Sequence, residues 1–337
     1  MIKYRFERLF VAFLIGVVTF NPSFLDAQDS LSSKKPIFFK PASQFSRQRF
    51  NYAAGFAGAT YTAFSVGLYN SWYKDYPMSS FHLFNDWGEW EQMDKAAHAF
   101  SGYFQAILTY KGARWTGLKE SKSIWTGIAI GSLFQTTIEV MEGFSKEWGF
   151  SIADIAANTV GIGVFSAQQR YWGEQRLTIK ESAFPVKHSA SIFIESNNGG
   201  DRLSLKERAD QLYGSSLAER LLKDYNAQTY WLSCNVDAFL PKGNRWPDWL
   251  NVAVGYGAQN MYGGFENQWM EDDMNYDGSG IARYRQFYFA LDADLTKIRT
   301  KNHFLRSLLS VANIFKTPSP AVEITSNGEV IFHFVHF

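Results

Sequence analysis

Long apolar stretches separated by polar turns dominate the first half of the chain. The first stretch, 51–73, carries no charge and is rich in small and aromatic residues. Three further stretches follow at about 92–111, 123–144 and 151–171. Their length favours helices over strands, although the apolar runs are marginal as bilayer spans. We therefore expect four short helices packed as an apolar bundle over 51–172.

After about residue 173 charged residues become more frequent, and in the final third apolar residues recur at every second position. Residues 205–225 fit one or two amphipathic helices that break near Gly214. Alternating runs predict half-buried strands at 230–239, 251–259 and 286–295. The predicted fold class is α+β, in which the helical bundle precedes a C-terminal segment, 173–337, of amphipathic helices and a small antiparallel sheet.

The chain ends in two β-like runs, 321–325 and 329–337, on either side of an Asn-Gly pair typical of hairpin turns. The last run is apolar on both faces, so we expect a central strand covered on both sides, and contact with lipid is the alternative. Side chains alternate along a strand, which would place His333 and His336 on opposite faces.

Composition narrows the class of protein. The chain has 337 residues, of which 46% are hydrophobic, 17% aromatic and 19% charged, and its net charge is +1. This hydrophobicity excludes general disorder. The neutral balance argues against a nucleic-acid partner, and the chain contains no P-loop or Rossmann fingerprint that would indicate a nucleotide.

The first residues have the features of a secretory signal. Lys3, Arg5 and Arg8 precede an apolar run, 9–20, that is too short to span a bilayer. We expect a signal peptide over 1–27 and an irregular lead-in over 28–50, and a retained anchor is the alternative. The predicted location is therefore outside the inner membrane, in the periplasm or at the outer membrane.

Ionisable residues within the apolar helices form the strongest candidate site. Asp94 and His98 are four positions apart and share a helix face. The full cluster contains Asp94, Lys95, His98, Glu139, Glu142, Asp154 and Asn158. Such residues normally face a bundle interior and pair with one another. Ser151 also fits a helix N-cap, with Asp154 three positions later as in a capping box.

Three interpretations of this cluster remain open. It could be a buried polar network that fixes helix register, where loss of Glu139 or Asp154 would cost about 3–5 kcal/mol. It could bind a divalent metal such as Zn²⁺ or Mn²⁺, since one histidine and several carboxylates suit both ions. It could also be an acid/base site for hydrolysis or lipid head-group chemistry.

The same residues carry a resemblance to a known family. The motifs are D-K-x-x-H at 94–98, Glu139 with E-G-F-S at 142–145, and W-G-F-S-x-x-D-x-x-x-N-x-x-G at 148–161. They resemble the YfiM-like family, domain-of-unknown-function family 2279, of predicted periplasmic lipoproteins, and more distantly VanZ-like membrane proteins. The resemblance implies an envelope location and no particular reaction. The single cysteine, Cys234, does not follow the apolar run, so the lipidated cysteine of the lipoprotein members is missing.

A second candidate site is the acidic segment 273–278. Asp273, Asn275 and Asp277 fit the first half of a calcium loop, but Tyr284 stands where the closing glutamate belongs. We interpret the segment as an acidic, turn-rich loop, with a calcium site as the alternative.

These observations favour a cell-envelope protein of unassigned activity. We expect a structural or binding component associated with the outer membrane through its aromatic helices, with membrane lipid or envelope proteins as partners. The alternative is a membrane-interface hydrolase or metal-dependent enzyme that uses Asp94, His98, Glu139 and Asp154. A sealed, fully paired cluster would favour the first interpretation, and an open one the second.

Overall fold

The computed structural model describes residues 38–70, 74, 77–197, 200–271 and 273–337, and its fold class is α+β, as predicted. The predicted signal peptide and the lead-in up to residue 37 lie outside these residues. The helices are α1 (Arg47–Leu68), α2 (Met93–Trp115), α3 (Glu120–Glu142), α4 (Ile152–Tyr171), α5 (Leu205–Tyr213), α6 (Leu217–Lys223) and α7 (His303–Ala312). The strands are β1 (Leu83–Phe84), β2 (Phe150–Ser151), β3 (Leu177–Ala183), β4 (Phe193–Glu195), β5 (Arg202–Ser204), β6 (Gln228–Asn235), β7 (Leu250–Gln259), β8 (Gln268–Glu271), β9 (Met274–Asp277), β10 (Tyr284–Ala293), β11 (Ser319–Thr325) and β12 (Val330–His336).

Helices α2, α3 and α4 pack closely on one another, whereas α1 lies at their edge. Only Gly67 and Leu68 of α1 are buried. The expectation of an irregular lead-in up to residue 50 is wrong from Arg47 onward, because Ser46 caps α1 by accepting a hydrogen bond from the Arg49 amide. None of the described helices combines the length and apolarity that a membrane crossing requires.

Glycines allow the backbones of α2 and α4 to touch. A Cβ atom on Gly161 would lie 1.9 Å from the carbonyl oxygen of Ala99, and one on Gly102 would lie 2.7 Å from that of Asn158. Gly127 makes a similar approach between α3 and Ala106. This close approach brings the polar residues of the three helices within reach of one another.

The C-terminal half is built around a six-stranded antiparallel sheet of order β12-β11-β10-β7-β6-β3. The sheet curves so that its two outer strands come close together. The rings of Phe184 and Phe337 stack 5.7 Å apart. The backbone of Glu181 in β3 exchanges hydrogen bonds with Ile314 and Lys316, just before β11.

The two faces of this sheet differ in polarity. The inner face is buried and polar, and Lys180 and Asp292 form an ion pair of 2.7 Å there with no exposed side-chain surface. The outer face is apolar. Helix α2 covers one part of it, where Phe100 packs on Tyr230 and Ala258.

Two predictions for the last strand are wrong. β12 pairs with β11 as expected, but it is the edge strand of the sheet and exposes several apolar side chains. His333 and His336 share a face, with ring centroids 4.9 Å apart. A bulge between Ser319 and Ala321 in the pairing of β11 with β12 shifts the alternation by one residue.

The amphipathic stretch after residue 204 forms two helices, as predicted. α5 ends at Gly214, whose φ of 82° suits glycine. Ser204 and Ser216 begin α5 and α6, each with a complete capping box.

Candidate functional site

The centre of the helical cluster is the ammonium group of Lys95. Its Nζ lies 2.8 Å from Asp86, 2.7 Å from Asp94 and 2.7 Å from Asp154. All four side chains are largely buried. One lysine therefore balances three carboxylates that arrive from a loop and from the first turns of α2 and α4.

Local capping explains how α4 presents Asp154. Ser151 Oγ accepts the Asp154 amide at 3.0 Å, so the predicted N-cap is confirmed. The reciprocal half of the capping box is absent among the described contacts. The Ser151 amide instead donates to Glu139 at 3.3 Å, and the Asp154 carboxylate is directed to Lys95. Ser151 Oγ also donates to Asp86 at 2.5 Å, which fixes the loop carboxylate.

A strained turn positions the start of α2. Trp90, Glu91 and Gln92 have φ values of 50°, 52° and 62°, in the left-handed region that non-glycine residues rarely occupy. The C-terminal sheet holds this turn: Arg285 binds Glu91 at 2.9 Å and Gln92 at 2.7 Å. Asp94 and Lys95 follow immediately.

His98 lies between the carboxylates of Asp94 and Asp154 and the carboxylate of Glu139. Its Nε2 is 3.7 Å from oxygens of both Asp94 and Asp154. Its Nδ1 is 3.7 Å from Glu139 Oε1 and 3.2 Å from Asn158 Oδ1. The imidazole therefore contacts every helix of the α2–α4 group.

The α3 side of the cluster has an excess of carboxylates. Glu139, Glu142 and Asp154 offer oxygens within 4.8 Å of one another, as do the ligand atoms of Asp94, His98 and Asp154. Glu139 Oε1 is buried and lacks a hydrogen-bond donor, whereas Asp154 Oδ1 lies 2.7 Å from the Lys95 ammonium. Gln135, one turn before Glu139, is also buried with both amide atoms unpartnered.

The pKa shifts divide the carboxylates into two sets. Burial opposes ionisation of Asp94, but His98, Lys95 and Tyr225 outweigh it and lower the pKa of Asp94 to about 2. Burial raises the pKa of Glu139 to about 7, with a further increase from the negative charge of Asp154. Burial and the charges of Glu139 and Asp94 raise the pKa of Glu142 well above its usual range. Burial and the charge of Asp94 also raise the pKa of Asp154.

The structure adds residues that the pattern analysis missed. Asp86 lies in the loop before α2, outside every stretch that the sequence pattern marked as a helix or strand, and it is buried against Lys95. Tyr225 comes from the C-terminal segment and donates to Asp94 at 2.8 Å. Neither contact has a local signal, because helical spacing reports only neighbours on the same element.

The second candidate site has a different geometry from a calcium loop. Asn275 and Asp277 lie in the extended strand β9, which pairs with β8, rather than in a turn. Asp277 accepts the amide of Ser279 at 2.9 Å. Among the described residues, the groups of three potential ligands within 4.8 Å of one another all belong to the α2–α4 cluster.

Comparison with known families agrees with this geometry. Residues 83–168 match the model of domain-of-unknown-function family 2279, described as a predicted periplasmic lipoprotein. The match runs from the loop that carries Asp86 to near the end of α4, so it includes the whole cluster except Tyr225. The predicted resemblance to this family is thus confirmed over residues 83–168, and the predicted exported, periplasmic location agrees with the family's description. The VanZ-like resemblance stays a prediction. The chain matches no curated protein and no solved structure.

Proposed function

We propose that this protein is a non-enzymatic binding component of the cell envelope and that its acidic cluster takes up one divalent cation. The observation that carries the proposal is the buried oxygen Glu139 Oε1, which lacks a hydrogen-bond donor within a group of three carboxylates. A structural polar network would satisfy this oxygen, since a buried acceptor without a donor costs free energy.

Charge balance supports the same conclusion. Asp86, Asp94, Glu139, Glu142 and Asp154 surround the single ammonium of Lys95 and the imidazole of His98. Several carboxylates without enough positive charge must either bind protons or bind a cation. A divalent ion beside Glu139, Glu142 and Asp154 would remove the excess negative charge.

The donor set indicates the class of ion. Three carboxylates provide hard oxygen ligands, which suit Ca²⁺, Mg²⁺ or Mn²⁺. His98 Nδ1 donates to Asn158 Oδ1, so this nitrogen carries a proton and the ligands remain the three carboxylates. Lys95 pairs with Asp86, Asp94 and Asp154, so Asp154 would be shared between the lysine and the cation.

Thermal unfolding of chelator-treated protein tests the proposal. Addition of CaCl2, MgCl2 or MnCl2 at about 100 times its Kd should raise the melting temperature by about 5 °C or more. Glu142→Gln removes one ligand and should abolish most of this shift. Glu147→Gln, an exposed residue just after α3, is the matched control. The proposal fails if none of the three ions shifts the wild-type melting curve.

We further propose that the mature chain associates with the outer membrane through exposed apolar residues of the helical region. Trp125, Ile152 and Val160 are each more than half exposed. Density-gradient fractionation of cells should place the protein, beginning near Gln28, with outer-membrane markers. Recovery of protein that retains residues 1–27 in the inner-membrane fraction would contradict this location.

A membrane-interface hydrolase remains the alternative, and one observation favours it. Asp94 has a pKa of about 2 and Glu139 one of about 7, although both contact His98. Such a separation is typical of a general base and a general acid. Hydrolysis of a lipid ester that is lost in both Glu139→Gln and His98→Ala would support the alternative over the binding role.

A further inference from the structure

Strand β10 shows that the main sheet has an inverted distribution of polar residues. Tyr288 and Asp292 face inward and are only 3% and 2% exposed. Phe287, Phe289 and Leu291 alternate with them on the outer face and are 44%, 54% and 43% exposed. A sheet packed in water normally buries its apolar face and exposes its polar one.

The neighbouring strands continue this outer face. Phe289 lies beside Val254 of β7 and Val322 of β11, and Phe332 of β12 pairs with Val322 on the other side. The outer sheet face comprises Leu232, Val252, Val254, Phe287, Phe289, Leu291, Ile324, Val330 and Phe332, all of them exposed. None of these residues carries a charge or a side-chain hydrogen-bonding group.

Aromatic and basic residues border this face at one end of the strands. Trp172 and Phe239 pack edge to face, and Arg176 lies over both rings at 4.8 and 5.5 Å. Trp249 precedes β7 at the same end and is about half exposed. Arg299 follows β10 with its side chain 94% exposed, and its guanidinium lies 3.7 Å from Asp248.

This border matches the interface of a lipid bilayer. Tryptophan collects at the level of the lipid headgroups, and basic side chains are attracted to anionic lipid. The segment 297–306 adds Lys297, Lys301 and Arg306 to Arg299 and contains no acidic residue. It leads into α7, where Phe304, Leu305 and Leu308 are also exposed.

The apolar face is bounded by polar groups at both ends of its strands. The distance from Phe287 to Leu291 is four residues of antiparallel strand, or about 14 Å. Beyond Phe287 the chain is polar again, at Arg285 and at the turn that begins with Ser326. Because charged groups are costly inside the hydrocarbon region, the strands fit along the membrane surface, with the apolar side chains directed into one leaflet.

We infer that the outer sheet face inserts into one leaflet of a lipid bilayer, with its aromatic and basic border at anionic headgroups. A protein partner fits less well, because protein interfaces carry about one hydrogen bond per 100–200 Å² and the side chains of the outer sheet face offer none. The inference rests on the envelope location in the proposed function, and it is independent of the cation site.

Flotation with vesicles of phosphatidylcholine and phosphatidylglycerol tests the inference on the full chain, with chelator present to remove any contribution from the cation site. The double variant Phe289→Asp and Phe332→Asp should lower vesicle partitioning more than tenfold, because each Phe loses its transfer into lipid. The matched control is Leu217→Asp with Met270→Asp, which changes two equally exposed apolar residues away from the outer sheet face. Both double variants should keep the wild-type melting temperature.

A fluorescent probe gives an independent measurement. In a Cys234→Ser background, an environment-sensitive dye on Phe289→Cys should shift its emission to the blue when vesicles are added, and a dye on Leu217→Cys should not. Wild-type partitioning in the Phe289/Phe332 variant would overturn the inference. So would a dimer that dissociates in this variant, since a second copy would then cover the face. If the wild-type protein floats with vesicles but its melting temperature does not respond to added cation, only the proposed cation site is contradicted.

Discussion

Tyr225 donates its phenolic hydrogen to Oδ1 of Asp94 over 2.8 Å, and this bond joins the C-terminal segment to the start of α2. The bond helps to keep the pKa of Asp94 near 2. When folding lowers the pKa of a carboxyl group, the group stabilises the native state at pH values above its pKa in the unfolded chain. This contribution is lost as the pH falls through the pKa of the folded state.

Tyr225→Phe should therefore destabilise the protein by about 1.5–3 kcal/mol at pH 7, because a hydrogen bond to a charged group is lost. The difference from wild type should shrink as the pH falls from about 4 towards 2. Urea unfolding at several pH values measures both effects. Tyr171→Phe, at the exposed end of α4, is the control and should behave as wild type. An equal loss at all pH values would mean that the bond does not act through ionised Asp94.

Lys95→Met should be the most damaging substitution in the cluster. It leaves Asp86, Asp94 and Asp154 without their shared partner, and removal of one member of a buried ion pair costs about 3–5 kcal/mol. Lys122→Met on the exposed side of α3 provides the comparison. Chemical denaturation curves that coincide for the two variants would show that the carboxylates are solvated.

Glu139→Gln should have a different effect from the one that the sequence suggested. Glu139 has carboxylates around it, and among the described residues the one basic side chain within ion-pair distance is His98, at 3.7 Å. In chelator we expect the variant to be as stable as wild type or about 1 kcal/mol more stable, because repulsion and the desolvation of a charge disappear. With a cation present, wild type should gain stability that the variant does not. A loss of about 3–5 kcal/mol in chelator would restore the original expectation.

Gly161→Ala tests the close contact between α2 and α4. The new methyl group would lie 1.9 Å from the Ala99 carbonyl, so the helices must separate, and we expect a loss of about 3 kcal/mol or more. Gly163→Ala, two residues later on α4, meets no atom within 4 Å. It should be neutral or up to about 1 kcal/mol stabilising through helix propensity. Melting curves that rank the two variants in the opposite order would exclude this packing.

Glu181 gives the protein a pH dependence outside the cluster. Burial raises its pKa to about 7. Because the raised pKa means that the native state holds the proton more tightly, the stability from this group is present below about pH 4.5 and is lost as the pH rises to 7. Glu181→Gln should match wild type at pH 5 and exceed it by about 1–2 kcal/mol at pH 8. Denaturant midpoints at the two pH values decide this, with Glu147→Gln as the exposed control.

The sequence pattern predicted best those features that depend on a single helix or strand. The four-residue spacing of Asp94 and His98 and the N-cap at Ser151 could be predicted because both depend only on helix geometry. The meeting of these residues with Glu139 followed from the cost of leaving charges in apolar helices. The break between the two amphipathic helices could be predicted because Gly214 adopts the positive φ that favours glycine after a helix end.

Contacts between distant parts of the chain could not be predicted in this way. Asp86 and Tyr225 reach Lys95 and Asp94 through tertiary folding, and no periodicity marks either residue. The shared face of His333 and His336 depends on a bulge, which is invisible to a simple two-residue alternation. The edge position of β12 depends on the order of all six strands.

The geometry of the helix ends adds a fixed electric field to the cluster. α2 begins at Met93 and α4 at Ile152, so Asp94 and Asp154 lie in first turns, at the positive ends of two helix dipoles. Glu139 and Glu142 lie in the last turn of α3, at the negative end of a third. The potential therefore becomes more negative from Asp94 towards Glu142. Because this gradient comes from peptide groups, no side-chain substitution or change of pH removes it, and it directs a cation to the α3 side.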